Sequence, residues 1–280
     1  MTKYITIFLL APLIAYGQEM LKIQFNHLYY ILEPADFKAI SESDFVNDTL
    51  CARETRADST AIYLFGPSNY LELFATSGND ALLGFSGIAF SVDKIGDLNK
   101  LKDILYKTHK PVVRTNERDI GGKKIPWFDA LAIVVDPTFH AGSRVFSWVM
   151  EYRIEYFKQN RYTISDSQLT REHYLEKYAS QRANKILNRF TGVVMKLDSS
   201  EKEYMTDFLR RIEYREIAKN HFIAPDNFRF LLKDRQLDDR KAIESIEFET
   251  STHFAEKMTF QISDNVFVVL TGNDGRLVFK

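Results

Sequence analysis

One eight-residue phrase recurs along this chain, and it constrains the fold more than any local propensity does. Phe25-Asn26-His27-Leu28-Tyr29-Tyr30-Ile31-Leu32 is echoed by Phe85-Ser86-Gly87-Ile88-Ala89-Phe90-Ser91-Val92. It returns as Phe190-Thr191-Gly192-Val193-Val194-Met195-Lys196-Leu197, and more faintly as Ile243-Glu244-Ser245-Ile246-Glu247-Phe248-Glu249. Each copy reads as a strand, and a charged helical stretch follows the first three. Repetition of one supersecondary unit implies a modular architecture. Only the first copy carries a histidine at its third position, which points to one active half and one degenerate half.

The segments between the copies repeat as well. After the first strand, Pro34 and Asp36 open a helix whose apolar spacing runs to Phe45. Strands are predicted around 53–56, over 61–66 and over 70–74, with Pro67-Ser68-Asn69 as the turn. The order is β-α-β-β-β. The second copy repeats it with a helix over 98–106, a strand at 111–114, a Gly121-Gly122 turn and two strands at 127–135 and 145–153. The connection at 136–143, which holds His140, exceeds what a minimal hairpin needs and suits a pocket rim. Residues 167–187 predict a charged amphipathic helix bridging two module pairs. The third copy leads to a helix over 199–212 and a strand over 228–233. The fourth is truncated, with a faint helix at 252–257, strands at 258–262 and 266–270, and an Asp274-Gly275 turn.

Bulk properties exclude several classes. The chain has 280 residues, 45% of them hydrophobic, which is ample for a core. A net charge of −1 gives no electrostatic footprint for nucleic acid or an anionic membrane. Lys3, an uncharged apolar run from Tyr4 to Ile14, and Ala15-Tyr16-Gly17 before Gln18 have the layout of a secretory signal peptide. That run is too short to span a hydrocarbon core of about 30 Å, so an exported, non-membrane product is expected after cleavage. Cys51 stands alone in the sequence, which rules out an intramolecular disulfide, and no motif surrounds it. It reads as a structural thiol.

With this module order in view, the chain resembles the vicinal oxygen chelate superfamily of glyoxalase I, bleomycin-resistance proteins and extradiol dioxygenases, and in particular exported glyoxalase-like proteins of unassigned function. The resemblance covers 21–153 well and 188–280 loosely. It implies an α+β fold of tandem βαβββ modules forming two cupped, incompletely closed barrels. The expected organisation is a signal peptide at 1–17, a paired-module domain at 18–153, a connecting helical segment at 154–187 and a degenerate paired-module domain at 188–280.

Metal-using members of that superfamily take ligands from the first and last strands of each module. Carried over, the resemblance implies His27 and Glu72 from module one and Glu151 from module two, with Gly87 unable to supply a fourth side chain. Period two puts His27 on one face with Tyr29 and Ile31, and Glu72 with Tyr70 and Phe74. A carboxylate buried among aromatics needs a partner, and a divalent cation would serve Glu72 and Glu151 together. Tyr29, Tyr70, Phe74, His140 and Trp148 are candidate substrate contacts.

Three functions follow as expectations. The first is a metal-dependent isomerase or lyase acting on a small molecule with vicinal oxygens, with Glu72 or Glu151 as the proton-transfer base. The second is a metal-free sequestering protein of the bleomycin-resistance type. The third is an extradiol-dioxygenase-like oxygenase, less favoured because the site offers one histidine and two carboxylates. A purely structural or interaction role is a further class, suggested by the degenerate second half.

Overall fold

The repeated phrase forms the central strands of two sheets. The computed structural model describes residues 21–76, 78, 80–107, 110–133, 143–160, 162, 168–236 and 239–280. In the first module, β1 (Ile23–Leu32) is followed by α1 (Pro34–Glu42), a π-helical turn at Phe45–Leu50, and the meander β2 (Ala52–Thr55), β3 (Ala61–Phe65) and β4 (Tyr70–Ala75). β4 returns parallel to β1, with His27 beside Tyr70 and Tyr29 beside Glu72. Parallel neighbours cannot be joined by a tight hairpin, and the intervening helix and meander supply the crossover. The second module repeats the path with β5 (Ser86–Val92), α2 (Asp97–Leu105), β6 (Pro111–Ile120), β7 (Lys123–Ile133) and β8 (Val145–Tyr152). β1 and β5 pair antiparallel with Leu28 opposite Ile88, joining the modules into one eight-stranded sheet of order β2-β3-β4-β1-β5-β8-β7-β6.

The third copy follows the same route through β9 (Leu187–Leu197). The chain between β8 and β9 contains α3 (Ile154–Gln159), α4 (Arg171–Leu175), a 3-10 turn at Glu176–Tyr178 and α5 (Ala179–Arg182). After β9 come α6 (Ser199–Arg211), β10 (Arg215–Ala218), β11 (His221–Ile223) and β12 (Arg229–Asp234), which lies parallel to β9. Asp198 and Glu201 form a reciprocal capping box that fixes the start of α6. The fourth copy is β13 (Ile243–Gln261), antiparallel to β9, followed only by β14 (Val266–Phe279). The second sheet therefore has six strands in the order β10-β11-β12-β9-β13-β14.

Two expectations fail in this last module. Residues 252–257 continue β13 rather than forming a helix, and Asp274-Gly275 lie within β14 rather than at a turn. Gly275 is small for a different reason. A Cβ there would meet Phe248 Cε2 at 2.1 Å, so the glycine makes room for a ring on the neighbouring strand.

The predicted bridge over 167–187 is also different. It breaks into short turns, and Leu187 already belongs to β9. Tertiary anchors outweigh its helical periodicity. Arg171 is buried and donates to the Phe25 carbonyl, to Gln24 Oε1 and, at 3.0 Å, to Asp226 Oδ2. Tyr174 and Tyr178 are buried against the first sheet.

The face of the first sheet opposite the cup described below packs against the second unit. Phe25 stacks on Phe228 with ring centres 3.8 Å apart, and Phe90 packs against Phe208 of α6, Tyr214 and Phe230. Tyr30 meets Phe279 edge-on. One hydrophobic core thus runs through both sheets. Cys51 is buried within it, and burial pushes its thiol up to about 12, which suits an inert structural role.

Candidate functional site

The first sheet curves around a cavity of about 710 Å³. Strand alternation decides what enters it. β1 contributes His27, Tyr29 and Ile31, β4 contributes Glu72 and Phe74, and β8 contributes Trp148. The far wall is the β6–β7 hairpin with Arg118, Trp127 and Phe128. The broken segment after β8 forms the roof, with Tyr174, Lys177 and Tyr178. Tyr178 stacks on Phe65 at 3.7 Å and donates its hydroxyl to Glu54 Oε2, which ties the roof to β2.

His27 is held tightly. β1 carries a bulge between Phe25 and His27, and Asn26, the extra residue, lies beside the ring with its Oδ1 2.9 Å from Nδ1. Bulges of this kind re-aim side chains next to sites. Asn26 Nδ2 donates to Tyr152 OH at 3.3 Å. Tyr70 stacks on the imidazole at 4.6 Å and Trp148 meets it edge-on at 5.5 Å. Burial, reinforced by the Arg118 charge, lowers the His27 pKa to about 3. The ring is neutral at ordinary pH. With an amide oxygen at Nδ1 it donates there and keeps Nε2 as an acceptor.

Glu72 lies beside Tyr29 in the β1–β4 ladder. Burial pushes its carboxyl up to about 7, against the opposing pull of the Arg118 and Arg56 charges. Among the described residues it makes no hydrogen bond or ion pair. Arg118 sits 3.7 Å over the Trp127 ring centre, a cation–π contact. Burial opposes its charge, but a guanidinium stays protonated in proteins, so it remains ionised. No carboxylate of a described residue lies within ion-pair distance of it. Trp127 Nε1 is a buried donor without an acceptor among the described residues. Burial lowers the pKa of Lys177, which lies 4.7 Å over the Tyr178 ring.

Glu151 is not in the cavity, which corrects the three-residue set. Its Oε1 and Oε2 accept from Gly96 N–H at 2.9 and 3.0 Å, and Oε2 also accepts from Leu98 N–H at 2.9 Å. It therefore caps the free N–H groups at the start of α2, where a negative charge is favoured. Strand parity explains the placement. Trp148 and Glu151 are three residues apart, so with Trp148 in the cavity Glu151 faces the other way. The ladders identify the true counterpart of Glu72. Glu72 pairs with Tyr29, two residues beyond His27, whereas Ala89, two residues beyond Gly87, pairs with Trp148.

The remaining module-two position is filled by Tyr29. A Cβ on Gly87 would stand 2.0 Å from Tyr29 Cε1, so the tyrosine ring occupies the space a fourth donor would need. The residues present do not fit a divalent ion held by His27, Glu72 and Glu151. No group of three His, Cys, Asp or Glu among the described residues is placed to hold one. A guanidinium close enough to depress both His27 and Glu72 adds repulsion to any cation there.

Of the other expected contacts, Tyr29, Phe74 and Trp148 line the cavity, and Tyr70 stands behind His27. His140 lies outside the described residues, as do residues 1–17. Arg118, Trp127, Lys177 and Tyr174 were not expected from sequence. The signal for Arg118 was present in Gly121-Gly122, because a tight turn forces β6 to match β7 in length. Arg118 then falls opposite Ile125, the third strand pair from the turn.

A family model described as a family of unknown function (DUF5829) matches residues 25–279. No curated protein matches the sequence. A hypothetical protein from Staphylococcus aureus is similar in structure at 11% identity and a TM-score of 0.54, over 86% of this chain and 96% of that one, which shows a shared fold. A xylose isomerase-like TIM barrel/4-hydroxyphenylpyruvate dioxygenase fusion protein aligns at 11% identity and TM-score 0.43, over 79% of this chain and 34% of that one. Methylmalonyl-CoA epimerase from Streptomyces coelicolor aligns at 14% identity and TM-score 0.27, over 46% of this chain and 96% of that one. The last two likenesses are too distant to carry an argument about chemistry.

Proposed function

The chain belongs to this family of unknown function, DUF5829, and from its cup we propose that it binds a small organic anion without a metal ion. We further propose that the fold is of vicinal oxygen chelate type, on the strength of the two βαβββ modules joined through β1 and β5. One observation carries the binding proposal. Arg118 and Glu72 enter the same aromatic cavity, yet no carboxylate of a described residue lies within ion-pair distance of the guanidinium, whose neighbours are the Trp127 ring and the Tyr156 hydroxyl. A half-buried cation without a counter-charge is costly, and an anionic ligand on Arg118 removes that cost. The aromatic walls suit a planar body. If residues 1–17 direct export, the ligand is met outside the cytoplasm.

Both tryptophans of the chain, Trp127 and Trp148, line the cavity, so intrinsic fluorescence reports on its occupancy. Titration with benzoate should give saturable quenching. Arg118→Met should weaken it by about 10- to 100-fold, as expected for a charge-assisted hydrogen bond of roughly 1.5–3 kcal/mol. Equal affinity in the variant would refute the assignment.

A second reading has a specific observation behind it. An unpaired carboxyl near pH 7 is poised to take and return a proton at neutral pH. Glu72 would remove the proton from a carbon next to the ligand carboxylate, and Arg118 would balance the charge left on oxygen. The bond broken is C–H, and the proton moves to Glu72 and back. Deuterium uptake from heavy water into phenylacetate at its α-carbon, lost in Glu72→Gln, tests this; no uptake in the native protein leaves binding alone.

A further inference from the structure

A second hollow adjoins the first across a waist made by Tyr29, Phe128 and Trp148, which line both. It measures about 440 Å³ and is bounded by Val112, Ala130, Ala132 and Phe146, with Arg114 and Asn116 at its side. The two hollows differ in kind. The first holds Arg118, Glu72 and the buried Trp127 donor, whereas the floor of the second is aliphatic and aromatic.

The strands explain why the two are continuous. Val112, Arg114, Asn116 and Arg118 lie at alternate positions on β6, and the row passes from the second hollow to the first over about 20 Å at roughly 3.3 Å per residue. On the facing strand, Ala130 and Ala132 are small where a larger side chain would fill the space. Val112 opposes Ala132 and Arg114 opposes Ala130 in the β6–β7 ladder. Gly87 keeps the floor of the waist low by admitting the Tyr29 ring.

We propose that one ligand spans both hollows, so that the substrate class is an aromatic carboxylate bearing an apolar tail. The carboxylate sits at Arg118, the ring lies in the waist between Tyr29, Phe128 and Trp148, and the tail runs over Ala130, Ala132 and Phe146. This rests on the anion-binding reading of the first hollow, and it adds the apolar requirement. A free inorganic anion or a short organic acid fills only the first hollow.

The test is a fluorescence titration with benzoate, para-ethylbenzoate, para-butylbenzoate and para-hexylbenzoate. In the native protein, affinity should rise about two- to fourfold per methylene, the gain expected from burying apolar surface. Ala132→Phe and, separately, Ala130→Phe should remove that gain, so that para-hexylbenzoate binds no better than benzoate. Arg118→Met should weaken every member by a similar factor. If benzoate binds through Arg118 but tail length adds nothing, the two-hollow ligand is wrong and the anion site stands. If the tail gain persists in both alanine variants, the tail lies elsewhere and the proposal fails. If no member binds the native protein, both fail. The length series needs no variant, so it decides the question even if the alanine replacements do not fold.

Discussion

The two halves of this protein start from the same phrase and the same strand path, yet different groups line their hollows. In the first, His27 holds the third position of the phrase and Glu72 lies on β4 beside Tyr29, two residues further along β1. In the second, the ladder places Gly192 at the third position and Leu231, paired with Val194, where Glu72 would be. The second half has a hollow of about 470 Å³ in which the acid, Glu247, is paired. Glu247 lies over Gly192 and meets Arg229 at 3.3 Å and Arg276 at 3.8 Å, all at least partly solvated. Surface pairs of this kind contribute little. The second half also lacks the far wall, because β14 alone stands where β6, β7 and β8 close the first cup. A functional cup on this scaffold therefore needs two things: walls from both modules, and a charged group that the protein itself leaves without a counter-charge.

The largest expected effect concerns Glu72. Its folded pKa of about 7 lies above the ordinary value of 4.5. A carboxyl raised in this way stabilises the fold fully below pH 4.5, and that contribution is lost as pH rises through 7. Glu72→Gln should therefore flatten the stability profile between pH 4.5 and 7 and make the protein more stable at pH 8, by on the order of 3 kcal/mol. Urea unfolding at several pH values measures this. Parallel pH profiles for the native protein and Glu72→Gln would refute the raised carboxyl in the first cup.

Next comes a matched pair of glycines. Gly87→Ala and Gly275→Ala each drive a methyl into a ring, of Tyr29 and Phe248 respectively. Each should cost about 1–3 kcal/mol by overpacking. Only Gly87→Ala should also weaken benzoate, because Tyr29 forms the waist of the cup. Loss of binding in Gly275→Ala would mean the second half participates.

The smallest effect is at Glu151. Glu151→Gln should lower stability by about 1 kcal/mol through the weaker cap on α2. Benzoate affinity should be unaltered, and a large loss of affinity would return Glu151 to the site.

Much of this was legible in residues. The repeated phrase located four central strands, and alternation along β1 and β4 put His27, Tyr29, Glu72 and Phe74 on one face. Glu151 was misplaced because its face depends on how β8 pairs with β5, and that register is a tertiary fact. The segment around Tyr174 carried helical periodicity, but Arg171 and its buried partners decided its path. Gly275 looked like a turn residue beside Asp274, when its smallness answers a ring from another strand. Arg118 was passed over because a charge near a hairpin tip ordinarily faces water.

The most direct test of the account is one titration series, performed with chelator present throughout. Native protein, Arg118→Met and Arg229→Met are titrated with para-butylbenzoate while tryptophan fluorescence is followed. The expected result is saturable, chelator-resistant binding to the native protein, unaltered affinity in Arg229→Met, and affinity lower by about 10- to 100-fold in Arg118→Met. Native-like binding by Arg118→Met, or binding that vanishes with chelator, would contradict it.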